Sequence, residues 1–94
     1  MFKIFFTSRA EKEFFRLPYS LKQKLYLEFE KLEVAPFTAF DVKKLKGTEF
    51  GYRLRIGRWR ILLALFFKEK RIEILDIFLK KGREDYRKRK DFLK

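Results

Sequence analysis

The chain has 94 residues and a net charge of +12, from 25 Lys and Arg against 13 Asp and Glu, and it contains neither Cys nor His. Its length predicts one domain over residues 1–94, and 47% apolar residues with thirteen Phe exclude a disordered chain. The missing Cys and His exclude disulfides, thiolate zinc sites and histidine catalysis, so we expect no metal and no cofactor.

The first elements are a strand and a short helix. Residues 2–6, FKIFF, are rich in β-formers and predict a short strand. Ser8 is predicted to begin a helix as the first residue of a capping box with Glu11. This helix runs to about Leu17, because the following Pro18 disfavours helical backbone in the residue before it.

A second helix and a basic segment follow. The helix is predicted from Ser20, with Gln23 as a further box partner, to Pro36, and its apolar residues recur at helical spacing. Two helices this close in sequence predict a helical hairpin. Residues 36–51 have no regular pattern and are expected to be irregular. They contain a basic cluster of Lys43, Lys44 and Lys46 before a turn at Gly47.

The C-terminal half changes to alternation with a period of two. Residues 52–56 and 59–67 predict two strands joined at Gly57, whose position suits a two-residue type II′ turn. Residues 71–79 predict a third strand, and the charged residues after them predict a short C-terminal helix. The element order is therefore β-α-α-β-β-β-α. This order predicts an α+β fold, with an antiparallel-rich sheet, the helical hairpin packed on one face and a three-strand meander.

The hairpin YRLRIGRWRIL, residues 52–62, separates charge from apolar side chains. Its turn pairs Arg55 with Arg60 and Ile56 with Trp59. One face then carries Arg53, Arg55 and Arg60, and the other carries Tyr52, Leu54, Ile56, Trp59 and Ile61. Directly opposed like charges destabilise a sheet, whereas converging guanidiniums bind phosphate well. The alternative is that acids elsewhere, such as Glu73 or Asp85, neutralise the arginines.

The motifs together resemble a known family. VKKLKG (42–47), YRLRIGRWRIL (52–62) and FLKKGREDY (78–86), behind a strand and a helical hairpin, resemble the RelE/ParE toxin superfamily over nearly the whole chain. The resemblance implies a small toxin of a type II toxin–antitoxin pair. In the RelE branch such toxins cleave mRNA without a metal, typically in the ribosomal A site, whereas the ParE branch poisons DNA gyrase.

The resemblance also implies site residues. The RelE-type basic and aromatic set falls on Arg53, Arg55, Arg60, Lys80 or Lys81, and Tyr86. We predict RNA-binding roles for Lys43, Lys44, Lys46 and Arg83. The alternatives are a solvated basic loop for the lysine cluster and simple packing on the sheet for Tyr86.

One departure from the RelE pattern concerns the general base. Attack by the 2′-hydroxyl of RNA needs a base, stabilisation of charge on the phosphate and an acid for the leaving oxygen. Arg53 stands where the resemblance predicts a lysine base, and arginine does not deprotonate usefully. Either the base is another group or catalysis is weak. Because nearby positive charge favours deprotonation, Lys80, Lys81 and Tyr86 are the candidates for another base.

We therefore expect a metal-independent endoribonuclease toxin that cleaves mRNA, with or without the ribosome, and inhibits translation. The alternatives are a ParE-like gyrase inhibitor without nuclease activity and an inactive basic nucleic-acid-binding module. The expected partners are a cognate antitoxin, mRNA and the ribosome. No signal peptide is visible and the longest apolar run, residues 61–67, is too short to span a bilayer, so we expect a cytoplasmic protein without membrane contact.

Overall fold

The computed structural model describes residues 1–35 and 37–80, which form one five-stranded sheet and two α-helices. In chain order the elements are β1 (Lys3–Phe6), α1 (Ser8–Phe15), α2 (Tyr19–Val34), a 3₁₀ turn (Phe37–Ala39), β2 (Val42–Lys44), β3 (Gly51–Ile56), β4 (Trp59–Phe66) and β5 (Arg71–Leu79). The strand order is β1-β5-β4-β3-β2; β1 is parallel to β5, and the other pairs are antiparallel. This confirms the predicted α+β fold and its antiparallel-rich sheet. The predicted C-terminal helix lies outside the described residues.

The first helix begins differently from the prediction. Thr7 has extended backbone, and its hydroxyl oxygen accepts the backbone N–H of Ala10 at 3.2 Å, so it is the N-cap and Ser8 is already helical. The predicted capping box from Ser8 is therefore wrong. Tertiary contacts select Thr7, because its own N–H donates to the carbonyl of Ile74 at 3.0 Å and holds it at the end of β1.

The second helix also begins earlier than predicted, at Tyr19. Pro18 occupies the N-cap position, and no side chain caps this helix, so the box predicted from Ser20 and Gln23 is wrong. Proline suits this position, because its fixed φ matches the approach to a helix. Within the described part of the chain, neither helix is long and apolar enough to cross a membrane.

Part of the segment predicted to be irregular forms a strand. Val42–Lys44 is β2, an edge strand that pairs antiparallel with β3 and places Lys43 opposite Arg53. The antiparallel meander therefore has four strands rather than three. Three residues are too few for alternation to be visible in the sequence, and β2 exists because β3 offers it a free edge.

The predicted hairpin register is correct. Arg55 lies opposite Arg60 and Ile56 opposite Trp59, with Gly57 at φ +59° in the turn between them. This positive φ favours glycine, as the type II′ prediction requires. The hairpin therefore has two chemically different faces.

Both helices pack on one of these faces, which we call the helix face. Its buried side chains form one cluster: Ala10, Leu25, Phe29, Leu32, Leu54, Ile61, Leu63, Leu65, Ile72, Ile74 and Ile77. The opposite face, which carries Arg53, Arg55 and Arg60, we call the cavity face. It holds a smaller buried cluster of Leu62, Ala64, Leu75 and Phe78. The helix face therefore contains most of the core.

A bulge in β5 allows this strand to serve both clusters. The register with β4 pairs Leu62 with Asp76 but Leu63 with Ile74, so one extra residue, Leu75, is inserted. A bulge shifts the alternation by one residue. Ile74 and Ile77 therefore both belong to the helix-face cluster, although an uninterrupted strand would separate them onto opposite faces.

Candidate functional site

The cavity face contains a cavity of about 450 Å³ that extends along β2 and the β3–β4 hairpin. We call it the basic cavity. It is lined by Lys43, Lys44, Leu45, Lys46, Arg53, Arg55, Arg60 and Lys80. All but one of these side chains are cationic. Such a concentration of positive charge attracts a polyanion strongly.

The cavity brings together every predicted site residue that the structure describes. These are Arg53, Arg55, Arg60 and Lys80 from the predicted catalytic set, and Lys43, Lys44 and Lys46 from the predicted RNA-binding set. Lys81, Arg83 and Tyr86 lie outside the described residues. The lysine cluster is near the arginines because β2 is the neighbour of β3 in the sheet.

Lys80 reaches the cavity through a backbone contact between β5 and the hairpin turn. Its N–H donates to the carbonyl of Arg58 at 3.2 Å, directly after the pairing of Leu79 with Trp59. The sequence left both Lys80 and Lys81 as candidates. The β4–β5 register puts Lys80 in the lining of the cavity.

The three arginines of the cavity are held in different ways. The side chain of Arg53 is 11% exposed and that of Arg55 is 55% exposed. The guanidinium of Arg60 donates to the backbone carbonyls of Gly57 at 2.8 Å and Trp59 at 3.0 Å. Arg60 is thus anchored on the turn that its own hairpin forms, and Arg55 is the most accessible of the three.

Sequence analysis missed Asp41, the acid that contacts two of the arginines. One carboxylate oxygen lies 3.4 Å from Nη2 of Arg53, and the other lies 2.5 Å from Nε of Arg55. The Asp41 carbonyl also accepts the N–H of Arg55 at 3.0 Å. Recognising β2 would have revealed Asp41, because antiparallel pairing of residues 42–44 with β3 places the preceding residue beside Arg55.

Of the two acids that the sequence suggested as neutralising groups, only Glu73 lies in the described residues, and it contacts Arg71 at 3.2 Å rather than an arginine of the cavity. Asp85 lies outside the described residues. Asp41 neutralises part of the arginine charge instead. The described residues also contain no group of three or more His, Cys, Asp or Glu side chains that would hold a metal ion.

A second charged cluster connects α1 to β5. Glu13 accepts the backbone N–H of Ile77 at 3.2 Å, and Nε of Arg9 lies 3.5 Å from the carboxylate of Asp76, which is fully buried. The pKa of Glu13 is raised from 4.5 to about 7. Burial is the largest cause, and a hydrogen bond to Asp76 and repulsion from the charge of Asp76 add to it. Glu13 therefore binds a proton more readily than an exposed glutamate does, and it does so at a site that does not line the basic cavity.

Comparison with known proteins identifies relatives of this chain. A Methanocaldococcus jannaschii protein named as a RelE1 toxin is 35% identical over 66 residues, which cover 69% of this chain and 73% of that protein. A chain of the archaeal RelE–RelB complex from Pyrococcus horikoshii is 31% identical and superposes with a TM-score of 0.67, covering 87% of this chain and 97% of that chain. No family model matches the sequence.

A more distant structure shares the fold. The isolated RelE toxin of Escherichia coli superposes with a TM-score of 0.69 at 20% identity, covering 94% of each chain. The parallel β1, the two helices and the antiparallel strands therefore form a fold that this chain shares with RelE toxins.

Proposed function

The chain belongs to the RelE family of toxins, and we propose that it is an endoribonuclease that cleaves mRNA without a metal ion and thereby inhibits translation. The basic cavity carries this proposal. Seven cationic side chains line one cavity on this face of the sheet. Asp41 is in contact with two of them, Arg53 and Arg55. A phosphate group of RNA fits this chemistry, because it accepts paired hydrogen bonds from guanidinium groups.

The proposed reaction is transfer of the phosphate to the neighbouring 2′-oxygen. The 2′-oxygen loses its proton to a base and attacks phosphorus, and the bond to the 5′-oxygen breaks as that oxygen takes up a proton. Arg55 and Arg60 would stabilise the negative charge that develops on the phosphate oxygens. Such preorganised electrostatic stabilisation is the largest contribution in many enzymes, and loss of one donor costs about 10²–10³-fold in rate.

The base has to be a group other than the arginines. Lys80 is the candidate that lines the cavity, and Lys81 and Tyr86 remain candidates from the sequence. Arg53 is excluded because a guanidinium stays protonated. Its 11% exposure and its contact with Asp41 suit a residue that organises the cavity rather than one that exchanges protons.

We also propose a protein antitoxin as the partner. The relative from Pyrococcus horikoshii forms a RelE–RelB complex, and a partner with acidic residues would complement the basic cavity. A toxin of this type would act on mRNA in the cytoplasm. Copurification with the product of a small neighbouring open reading frame would test the partnership.

The test of the nuclease is induced expression, with mapping of new mRNA 5′ ends in cells and on purified RNA, with and without ribosomes. Arg60→Ala is expected to lower cleavage by about 10²–10³-fold and to remove growth inhibition. Arg58→Ala is the matched control, because Arg58 is an exposed residue of the same turn that does not line the cavity.

Retention of both activities by a folded Arg60→Ala variant would contradict the proposal. Inhibition of DNA supercoiling with intact mRNA would identify the chain as a gyrase inhibitor instead. RNA binding that decreases steeply with salt, without cleavage, would identify a basic nucleic-acid-binding module.

A further inference from the structure

Asp41 is the feature of the basic cavity that the proposed reaction does not explain. It is an acid placed against the arginines that are expected to receive an anionic phosphate, and its side chain is about one third exposed, at 32%. A carboxylate near a phosphate site repels the phosphate. We therefore expect Asp41 to have a role that offsets this repulsion.

The contacts of Asp41 resemble those that a phosphate would make. Its two oxygens are divided between two guanidiniums, Arg53 through Nη2 and Arg55 through Nε. A carboxylate bound by two arginines in this way occupies the place of a bridging oxyanion. Its backbone is fixed as well, because its carbonyl accepts the N–H of Arg55.

The two arginines differ in how accessible they are to an incoming phosphate that would replace Asp41 as their partner. The Arg53 side chain is 11% exposed, so its contact with Asp41 is shielded from solvent and retained. The Arg55 side chain is 55% exposed, so its guanidinium is accessible from the cavity. A phosphate that enters therefore competes with Asp41 for Arg55 and leaves the pair with Arg53 in place.

We infer that Asp41 is a positioning residue that holds Arg53 and Arg55 in place before RNA binds and competes with RNA phosphate for Arg55. The inference rests on the proposed function, since RNA is the polyanion concerned. Asp41 lowers the affinity for any single phosphate. Tight binding then requires further contacts with the cavity's other cations, and this disfavours polyanions that do not fit.

The test compares Asp41→Asn with the wild-type chain in binding to a single-stranded RNA oligonucleotide, measured by fluorescence anisotropy from about 50 to 200 mM KCl. Removing the charge is expected to tighten binding at low salt by about five- to tenfold. It should also make the slope of log K against log salt steeper by about 0.7, because one more cation becomes available to the strand.

Two control variants separate this role from a general effect of charge or structure. Glu69→Gln, in the turn between β4 and β5, changes the net charge equally and is expected to leave affinity and slope unchanged. Asp41→Glu keeps the charge and is expected to keep the wild-type slope. Thermal melting verifies that each variant is folded.

Cleavage kinetics test the positioning role. Asp41→Asn is expected to lower KM and also kcat, because Arg53 and Arg55 lose their common anchor, and Asp41→Glu should recover part of kcat. Unchanged affinity and slope for Asp41→Asn would overturn the competition, and an unchanged kcat would overturn the positioning. If the wild-type chain does not cleave RNA, the proposed function fails, yet the binding data still decide whether Asp41 competes for Arg55.

Discussion

The two faces of the β3–β4 hairpin differ in what fixes their side chains. On the helix face, Leu54 and Ile61 are buried against α1 and α2 in the larger cluster. On the cavity face, Arg55 and Arg60 lie opposite each other at the same level of the sheet, and one contacts an acid while the other contacts backbone carbonyls. Burial therefore stabilises one face, and polar contacts orient the other.

This fold tolerates an unfavourable arrangement of charge on the cavity face because most of its core lies on the helix face. Opposed like charges cost of order 0.2–1 kcal/mol, whereas one buried leucine contributes about 1.5–3 kcal/mol. The helix-face cluster contains many such residues. The repulsion between Arg55 and Arg60 is therefore small relative to the stability that the core provides, and the fold tolerates arginines at positions suited to binding an anion.

The largest expected effect is a loss of stability when one of two adjacent leucines of β4 is replaced by alanine, and the size of the loss should differ between them. Leu62 and Leu63 are both fully buried but belong to the cavity-face and helix-face clusters, respectively. Leu63→Ala is expected to lower the free energy of unfolding by about 3–5 kcal/mol, and Leu62→Ala by about 2–3 kcal/mol. The smaller cluster has fewer neighbours to lose and can collapse more easily. Urea denaturation of both variants measures the difference, and equal losses would contradict the comparison.

A smaller effect concerns pH and the cluster between α1 and β5. Because the folded pKa of Glu13 is raised from 4.5 to about 7, the folded state binds more protons between these values. Stability is therefore expected to decrease as pH rises from about 4.5 to 7, by on the order of 1 kcal/mol for this partly exposed group. Glu13→Gln should flatten the dependence of Tm on pH and raise stability above pH 7, because a neutral amide can still donate to Asp76.

The control for this prediction is Glu30→Gln, an exposed acid of α2. It is expected to leave the pH dependence of Tm as in the wild-type chain. A Glu13→Gln variant whose Tm falls between pH 5 and 7 as steeply as the wild type would show that another group is responsible.

The smallest expected effect tests the cavity face directly. Lys43 lies opposite Arg53 in the β2–β3 pairing, so Lys43→Glu replaces a repulsive pair by an attractive one. We expect a gain in stability of about 0.2–1 kcal/mol that shrinks at high salt, together with weaker RNA binding. Lys24→Glu on the exposed side of α2 changes the net charge equally and serves as the control. Stability that falls in Lys43→Glu would mean that the cavity face depends on its cations for folding.

The hairpin was predictable because its determinants are local. Alternation in residues 52–62 and one glycine at the turn set the register, and the register sets which arginines share a face. Parity along a strand survives any error in the surrounding fold, which is why Arg53, Arg55 and Arg60 were identified from sequence. The family resemblance then extended the prediction to Lys80 or Lys81, of which Lys80 lines the cavity in the described structure.

The elements that the sequence missed depend on contacts between distant residues. Thr7 became the N-cap of α1 because its N–H and hydroxyl bond to carbonyls of β5, far away in sequence. The three-residue β2 forms because β3 has a free edge, and with it Asp41 reaches the arginines. The bulge at Leu75 likewise follows from packing, since it lets β5 contribute to both clusters.

By itself the sequence determined a basic α+β chain whose central hairpin separates apolar residues from arginines. These properties follow from composition and from a period of two, which need no long-range information. Only the tertiary structure decided that β2 and the end of β5 border that hairpin, so that their lysines and the three arginines line one open cavity, with Asp41 in contact with Arg53 and Arg55. The physical reason is that strand order and edge pairing depend on which surfaces the whole chain can bury together.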